Sequence, residues 1–396
     1  MLRNVKSFDL KGQRILLRLD LNVPLNKNDL IEDNFRIRAA LPTIKYCLSE
    51  GASIVIMSHL GRPDGKENDK LSLIPVGEEL ASLLEIPIKF SNNCVSQDAI
   101  DTSLSLKDGE IHLLENLRFH PGEVSNDSDF SNKLSRHGRI FINDSFGTIH
   151  RKHASNFGVI NYFKNYGIGF LMGKELRYQK ELMIKPNRPL VLLLGGAKIS
   201  TKVKILEKYI DKADNIIIGG GMAFTFFKAM GYNIGKSVIE SSMIDKAKSI
   251  IKLSRMLNKE LLFPLDLICS NSIDSSPFEE PVSFRKISDD MIGLDIGPKT
   301  IKKIKNMLES AETVIWNGPL GFFEKEEFSN GTKEIAFFLR DLSKSKINVV
   351  AGGGDTASAL SLYECIDDFT HVSTGGGASL SLLSGKRLNS LERLEI

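Results

Sequence analysis

Residues 190–202 read LVLLLGGAKISTK, an apolar run followed by two glycines and the start of a helix. The apolar run predicts a β-strand. Glycines directly after a strand let backbone N–H groups come close to an anion, and the helix N-terminus behind them adds a favourable dipole. The stretch therefore predicts an α/β fold in which an anion binds at the carboxyl end of a parallel strand.

The same order of strand, glycines and helix start recurs three times in the carboxyl half. The repeats are NIIIGGGMAFTF (215–226), INVVAGGGDTASAL (347–360) and THVSTGGGASL (370–380). One such turn fits a tight strand-to-helix connection equally well, but four in one half indicate a phosphate-rich ligand. The chain has no GxxxxGK[ST] and no HRD or DFG set, which excludes the P-loop and protein-kinase patterns.

Charged residues on these turns refine the expectation. Lys198 and Lys202 are four residues apart, so on the first turns of a helix both would face one phosphate. Asp355 follows directly after three glycines, where its charge would repel a bare phosphate. A bridging Mg²⁺ removes this conflict, because hard cations prefer carboxylate and phosphate oxygens.

The segment TVIWNGPLGFFE (313–324) predicts a further strand and turn in the carboxyl half. Trp316 is interpreted as a core residue, which leaves Asn317 and Glu324 as the polar candidates. A glutamate near a nucleotide can accept hydrogen bonds from ribose hydroxyls.

The amino half places basic and amide side chains, rather than glycines, after its apolar runs. Arginines that gather at strand ends suit a small, multiply charged anion, because each guanidinium binds two phosphate or carboxylate oxygens. The candidates are Asp20, Asn22, Arg36, His59, Arg62, Arg118 and Arg151. The HxxH pair His150 and His153 lacks a carboxylate partner and predicts no metal site. One half is thus expected to bind a nucleotide and the other a small acid.

Composition sets the class of protein. The chain has 396 residues, of which 42% are hydrophobic and 26% charged, as in a soluble globular protein of two domains. A net charge of +3 gives no case for nucleic acid. No apolar run is long enough for a membrane span, no signal peptide begins the chain, and the four cysteines form no CxxC pair. A cytoplasmic protein is expected.

Strand-like runs alternate with amphipathic helices, which predicts parallel sheets built from βαβ units. Helices are predicted over 36–51, 169–183 and 200–214. The second of these is unbroken by proline and is followed by KPNRP (185–189), so it is interpreted as an inter-domain helix.

Taken together, the motifs resemble those of the phosphoglycerate kinase family from end to end and in the family's order. They are RLDLNVP (18–24), SHLGRP (58–63), ENLRFHPGE (115–123), DSFGTIHR (144–151), GGAKISTK (195–202), GGGMAFTF (219–226), FPLD (263–266), DIGPKT (295–300), WNGPLGFFE (316–324), GGGDTAS (352–358) and STGGGASL (373–380). Thr201 stands where many members carry Asp.

The resemblance implies reversible phosphoryl transfer from 1,3-bisphosphoglycerate to MgADP, which gives 3-phosphoglycerate and ATP. It implies a monomer of two Rossmann-like domains with helix-flanked parallel sheets, bilobal with a central cleft. The expected divisions are a phosphoglycerate-binding domain at 1–168, the inter-domain helix at 169–184, a nucleotide-binding domain at 185–375, and a C-terminal segment at 376–396 that packs back on the first domain.

The resemblance also implies residue roles. The basic set of the amino half would bind the phosphoglycerate. The nucleotide would be bound by Gly196, Lys198, Lys202, Gly219, Gly220, Asn317, Pro319, Glu324, Gly353, Gly354, Asp355 and Thr356. Asp355 would hold Mg²⁺, and catalysis would rest on Arg36, Lys202, Gly353 and Gly376. No general base is required, because the attacking ADP oxygen is already ionised.

Two alternatives belong to other classes. A nicotinamide dehydrogenase requires G-x-G-x-x-G in its first βαβ unit, and the first unit here has no such glycines. A non-catalytic nucleotide-binding protein of the same fold would be expected to have lost Arg36, Lys202 or Asp355, and all three are present.

Overall fold

The computed structural model describes residues 2–345 and 347–395. The chain divides into two compact units. The amino unit comprises the residues up to Arg177 and the segment that begins at Lys386, and the carboxyl unit is Tyr178–Gly385.

The amino unit is built from six strands and the helices between them, as far as the chain is described. The strands are β1 (Arg14–Arg18), β2 (Ser53–Met57), β3 (Ile88–Ser91), β4 (Ile111–Leu114), β5 (Ile140–Asn143) and β6 (Tyr166–Ile168). The helices are α1 (Phe35–Ser49), α2 (Ile74–Leu84), α3 (Gln97–Leu104), α4 (Pro121–Ser125), α5 (Ser128–Ser135) and α6 (Phe170–Ile184), the last of which continues into the carboxyl unit.

The strands of the amino unit form one parallel sheet in the order β3-β4-β2-β1-β5-β6. Leu16 at its centre pairs with Val55 on one side and with Phe141 on the other. All three are buried, because helices cover both faces of a parallel sheet and its strands read as continuous apolar runs.

The carboxyl unit repeats this plan and adds a small second sheet. Its strands are β7 (Leu190–Leu194), β8 (Asn215–Ile218), β9 (Leu261–Leu262), β10 (Asp266–Ser270), β11 (Val282–Ser283), β12 (Ile292–Ile296), β13 (Thr313–Asn317), β14 (Asn348–Gly352) and β15 (His371–Val372). Its helices are α7 (Val203–Tyr209), α8 (Met222–Ala229), α9 (Ile244–Met256), α10 (Pro298–Leu308), α11 (Asn330–Lys344), α12 (Gly354–Leu362) and α13 (Gly377–Leu383), and α14 (Asn389–Leu394) returns to the amino unit.

The main sheet of the carboxyl unit is parallel, in the order β15-β14-β13-β7-β8-β9. The smaller sheet is antiparallel, in the order β11-β10-β12. The parallel arrangement expected throughout fails here because no α-helix lies between β10 and β12 to carry a crossover.

Two of the three predicted helices are observed within two residues of their expected bounds, and the third is shorter. The helices predicted over 36–51 and 169–183 are observed as Phe35–Ser49 and Phe170–Ile184. The helix predicted over 200–214 is shorter: Ile199–Thr201 is a 3-10 turn, and α7 runs only from Val203 to Tyr209. The compact units divide within α6 and at Gly385, whereas the sequence placed boundaries at 168, 184 and 375. The functional division into domains stays a prediction.

Candidate functional site

Four adjacent strands of the amino sheet, β4-β2-β1-β5, deliver the predicted anion-binding residues. Each strand ends at the same edge, because parallel strands share a direction. Asp20 and Asn22 follow β1, His59 and Arg62 follow β2, Arg118 follows β4, Arg151 follows β5, and Arg36 lies in the first turn of α1.

Asp20, Asn22 and Arg36 form the first group of contacts. The Arg36 guanidinium donates from Nη1 to Asp20 Oδ1 at 3.1 Å and to the Asn22 carbonyl oxygen at 3.2 Å. Asn22 Oδ1 in turn accepts from the Gly61 N–H at 2.7 Å. The Arg36 side chain remains 25% exposed, whereas that of Asp20 is only 4% exposed. Arg36 is thus held through Nη1 and retains the donors on Nε and Nη2 for a ligand.

The other three arginines of the predicted set line one cavity of about 520 Å³. Arg62, Arg118 and Arg151 share its wall with Pro121 and Val124, among others. Arg118 donates from Nη1 to the Gly61 carbonyl at 2.6 Å, while its buried Nη2 has no hydrogen-bond partner in the described part of the chain. Burial, and after it the charges of Arg151 and Arg18, lowers the pKa of Arg118 to about 10. Such a crowded cationic wall favours a polyvalent anion.

His59 lies behind this wall and is uncharged. It is 4% exposed, and its Nδ1 is 3.9 Å from Asp20 Oδ1, too far for a hydrogen bond. Burial, and after it the charges of Arg18, Arg118, Arg151 and Arg36, hold the pKa of His59 well below its ordinary range. At neutral pH the imidazole is therefore a hydrogen-bond donor rather than a cation.

Three residues in this region were missed by the sequence analysis. Arg18, the last residue of β1, is 1% exposed; its Nε donates to Ser155 Oγ at 2.9 Å, and its Nη2 contacts His59 Nδ1 at 3.3 Å. Ser155 Oγ donates to the buried Glu123 carboxylate at 2.7 Å. A signal was present: an arginine that ends a run buried on both faces is itself buried, and it then requires a carboxylate.

His112 and His137 lie elsewhere, in a buried hydrogen-bonded chain of the amino unit. His137 Nε2 faces the Cys94 carbonyl at 2.9 Å, so it carries the proton and leaves Nδ1 to accept from Ser103 Oγ at 2.6 Å. Ser103 Oγ then accepts from His112 Nδ1 at 2.8 Å, and His112 Nε2 accepts from Ser91 Oγ at 2.8 Å. Burial lowers the pKa of each histidine to about 4. Both are structural.

In the carboxyl unit, some glycines of the turns pack against one another. A side chain at Gly195 would fall within 3.0 Å of the Pro319 carbonyl oxygen, and one at Gly220 would meet the Gly196 N–H nitrogen at 2.6 Å. Gly196 donates to the Pro319 carbonyl at 2.7 Å, and Gly318 has a φ of +101°. These glycines are required by close backbone approach between neighbouring strand ends.

Other glycines border open space. A side chain at Gly354 or at Gly376 would meet no heavy atom within 4 Å. Gly354 begins α12, whose first N–H groups have no partner within the helix. Asp355 is exposed on this turn, whereas Thr356 is buried and its hydroxyl bridges Gly318 N–H and the Gly352 carbonyl. The end of β14 thus presents free N–H donors and one carboxylate.

Lys202 and Lys198 do not share a helix face, contrary to the prediction. Lys198 is exposed and precedes the 3-10 turn, whereas Lys202 is 9% exposed and its Nζ donates to Asn317 Oδ1. The physical reason is the tighter winding of the 3-10 turn, which shifts residues four apart to different sides. Burial lowers the pKa of Lys202 to about 8, although Asp355 acts in the opposite direction.

The remaining nucleotide candidates lie around the same strand ends. Gly219 follows β8 and would meet the Leu320 side chain at 2.6 Å if it carried a Cβ. Pro319 is buried, and Glu324 is exposed on the loop that follows β13. Gly353 has a φ of +101° and lies beside the Asn317 amide.

No group of three or more His, Cys, Asp or Glu in residues 2–345 and 347–395 is arranged to hold a metal ion. Asp355 can still serve Mg²⁺, which typically takes one or two carboxylates together with substrate phosphates and water. In the same part of the chain, no helix has the length and apolarity to cross a membrane.

Comparison with known proteins identifies the family. The sequence model described as "Phosphoglycerate kinase" matches residues 5–386. The chain belongs to the phosphoglycerate kinase family.

Relatives match over the full length. A phosphoglycerate kinase of Chloroherpeton thalassium is 44% identical over 99% of this chain and 98% of its own, and one of Borrelia hermsii is 45% identical over 100% and 99%. The solved structure of phosphoglycerate kinase from Coxiella burnetii, 35% identical, superposes with a TM-score of 0.84 and covers 100% of this chain and 99% of that one.

The resemblance inferred from the motifs is thereby confirmed. The chain is a kinase that moves a phosphoryl group reversibly between 1,3-bisphosphoglycerate and ADP, giving 3-phosphoglycerate and ATP in glycolysis. The expected α/β class with helix-flanked parallel sheets is also confirmed, and within the described residues the structure gives the two main sheets six strands each. The comparisons give no support to a non-catalytic protein of the same fold.

Proposed function

We propose that the amino unit of this phosphoglycerate kinase binds the phosphoglycerate and that the carboxyl unit binds the nucleotide with its Mg²⁺. The observation that carries this division is the cavity lined by Arg62, Arg118 and Arg151, which includes a buried guanidinium nitrogen with no hydrogen-bond partner among the described residues. A buried cationic donor left open in this way favours a small phosphate ester over a nucleotide base.

The chemistry of each group suggests how the acid binds. The three arginines of the cavity receive the phosphate, because guanidinium groups match its oxygens in pairs. Asp20 accepts from the glycerate hydroxyl, since a carboxylate needs a donor and the hydroxyl is the donor that phosphoglycerate has at neutral pH. Asn22, His59 and Arg36 complete the site around the carboxyl end.

The nucleotide binds along the strand ends of the carboxyl sheet. The adenosine part lies against Gly196, Gly219, Gly220, Pro319 and Glu324, with the glutamate on the ribose. The phosphates are held by Lys198, Lys202, Asn317, Gly353, Gly354, Asp355 and Thr356. This assignment is supported by the open N-terminus of α12 and by the side-chain pair Lys202 and Asn317.

Transfer itself needs charge neutralisation more than covalent chemistry. Arg36 stabilises charge on the transferring phosphoryl group, and Lys202 does so from the nucleotide. Backbone N–H groups at Gly353 and Gly376 assist, since oriented N–H donors stabilise developing charge without reorganisation. Bound Mg²⁺ would be held by Asp355 and would offset charge on the phosphate oxygens.

We place the enzyme in the cytoplasm as a monomer that binds neither nucleic acid nor membranes. Support comes from the near-balanced charge of +3 and from the lack of a membrane-spanning helix in the part of the chain that is described.

The division of labour is tested with Arg151→Ala and a matched control, Arg139→Ala. Arg139 is exposed and precedes β5, at the opposite end of the strand from Arg151. Arg151→Ala should raise KM for 3-phosphoglycerate about tenfold to a hundredfold and leave KM for MgATP within twofold. Arg139→Ala should change neither. If Arg151→Ala raised only KM for MgATP, the assignment of the two ligands to the two units would be reversed.

A further inference from the structure

The fully buried arginine behind the anion-binding cluster has no assigned role. Arg18 is 1% exposed and lies at the carboxyl end of β1, the central strand from which Asp20 and Asn22 continue. Its guanidinium contacts three groups: Ser155 Oγ, the Leu19 carbonyl oxygen and His59 Nδ1. Each contact is made within the amino unit.

Hydrogen bonds link Arg18 to a buried carboxylate through Ser155. Ser155 Oγ accepts from Arg18 Nε at 2.9 Å, so its own proton is free to go to Glu123 Oε1 at 2.7 Å. Glu123 Oε2 accepts from the Ser155 N–H at 2.9 Å. The carboxylate is wholly buried and supplies the negative charge that a buried guanidinium requires. Arg18 is therefore fixed from behind by Glu123 and Ser155.

The contact of Arg18 with His59 determines the state of the imidazole. A guanidinium has five N–H donors and no acceptor, so Nδ1 of His59 at 3.3 Å must accept. Nδ1 then carries no proton, and in the neutral ring the proton is on Nε2. Burial and the neighbouring positive charges of Arg18, Arg118, Arg151 and Arg36 oppose a second proton on the ring. The carboxylate that faces it is that of Asp20, whose Oδ1 lies 3.9 Å from Nδ1 and makes no hydrogen bond with it.

We infer that Arg18 is a positioning residue for the kinase reaction: through Nη2 it holds His59 as the neutral Nε2–H tautomer, so that this histidine donates a hydrogen bond to the bound phosphoglycerate. The inference rests on the proposed binding of phosphoglycerate by His59. Without Arg18, either ring nitrogen could carry the proton, and the wrong tautomer would turn a lone pair toward an anionic ligand.

The tautomer is measured directly by NMR of protein labelled with ¹⁵N in its seven histidines. The His59 signals are identified by their loss in His59→Gln. In the wild type, Nδ1 should show the shift of an unprotonated ring nitrogen and Nε2 that of a protonated one, with no change across the pH range around 6.5 in which an ordinary histidine titrates. In Arg18→Met, His59 should show a mixture of tautomers, and its pKa should rise because a neighbouring positive charge is gone.

Kinetics test whether the tautomer matters for binding. Arg18→Met should raise KM for 3-phosphoglycerate roughly tenfold or more and leave KM for MgATP within twofold. In a His59→Gln background, Arg18→Met should add little, because the amide has no tautomer to fix. A purely structural arginine would instead give effects that add.

Removal of Arg18 alone leaves Glu123 without its counter-charge, so two controls are needed. Arg18→Met combined with Glu123→Gln removes both charges together, and Glu123→Gln alone reports the effect of the carboxylate. Arg14→Met removes another arginine from β1, one that donates to the His137 carbonyl at 2.8 Å. Arg14→Met should leave both the His59 tautomer and KM unchanged.

Two results would overturn the inference. The first is an unchanged His59 tautomer in folded Arg18→Met or in the variant that combines Arg18→Met with Glu123→Gln. The second is an additive loss in the His59→Gln background. If His59→Gln leaves KM for 3-phosphoglycerate unchanged, the proposed contact of His59 with the substrate fails, while comparison of the His59 tautomer in wild type and Arg18→Met still decides whether Arg18 fixes the ring.

Discussion

The proposed ligand-binding edges of the two units are held together by different kinds of contact. In the amino unit, buried charged side chains hold one another: Glu123 holds Arg18 through Ser155, and Asp20 holds Arg36. In the carboxyl unit, glycine backbone packs on backbone around Gly195, Gly220 and Gly318. One edge is thus sensitive to charge and protonation, and the other to the addition of a single carbon atom.

The largest effect is expected at Arg36, the partly exposed cation of the amino unit. Arg36→Ala should reduce kcat at least 10²- to 10³-fold and change KM far less, because the charge acts mainly in the transition state. Steady-state kinetics of folded protein measures this, with Arg38→Ala on the same helix as the control. A variant that keeps more than about a tenth of wild-type kcat would remove Arg36 from the mechanism.

Acidification should lower the stability of the amino unit and raise the stability of the carboxyl unit. His112 and His137 have pKa values of about 4 when folded, below the ordinary 6.5, so between these values the unfolded chain binds more protons and stability falls as the pH falls. Asp144 opposes this, since burial raises its pKa to about 6. His59, whose pKa burial also lowers, acts in the same sense as His112 and His137, so at least one net proton remains between pH 6 and 4, which corresponds to at least about 1.4 kcal/mol per pH unit.

In the carboxyl unit, burial raises the pKa of Asp295 to about 7. The folded state then binds the extra proton, so stability falls as the pH rises from about 4 to 7 and increases on acidification. Amide hydrogen exchange of β4 and β12 at pH 6 and 4 distinguishes the two units. If the stability of both units changed with pH in the same direction and to the same extent, the contrast between them would be wrong.

The carboxylate on the open glycine turn should govern the metal. Asp355→Asn keeps the shape and removes the charge, so kcat at saturating nucleotide should fall by roughly two orders of magnitude and require more Mg²⁺. Metal-free nucleotide should bind as well as before or better, because one repulsion is gone. Asp245→Asn, an exposed aspartate in the first turn of α9, is the matched control. Identical Mg²⁺ titrations of wild type and Asp355→Asn would place the metal elsewhere.

A pair of glycine substitutions separates packing from ligand binding at the carboxyl edge. Gly195→Ala should destabilise the unit by about 2 kcal/mol, because the added carbon meets the Pro319 carbonyl. Gly354→Ala should leave the urea midpoint nearly unchanged, because it faces open space, and raise KM for MgATP a few-fold. Equal loss of stability in both variants would show that the two sets of glycines do not differ.

Much of this arrangement could be predicted from sequence, because it depends on patterns that are local. Apolar runs such as 190–194 and 53–57 are strands, and the polar residue or glycine that follows each one marks the ligand edge. What could not be predicted depends on approach between distant segments. Examples are the burial of Arg18 against Ser155 and the contact of Gly195 with Pro319. Lys198 and Lys202 show a further limit, since their spacing does not distinguish a 3-10 turn from an α-helix.

The last residues of the chain bear on the order in which the protein can be made. Ser390 Oγ donates to the Arg151 carbonyl at 2.8 Å, Leu394 is fully buried, and Leu2 forms a bridge with Glu395. On a ribosome, some two hundred residues of the carboxyl unit must be synthesised before this segment emerges. The nascent amino unit therefore waits, with the loop of Arg151 unsupported, until residues 386–395 have been synthesised. A stop codon after Gly385 would spare every strand and helix up to α13 and still remove the segment that contacts the loop of Arg151.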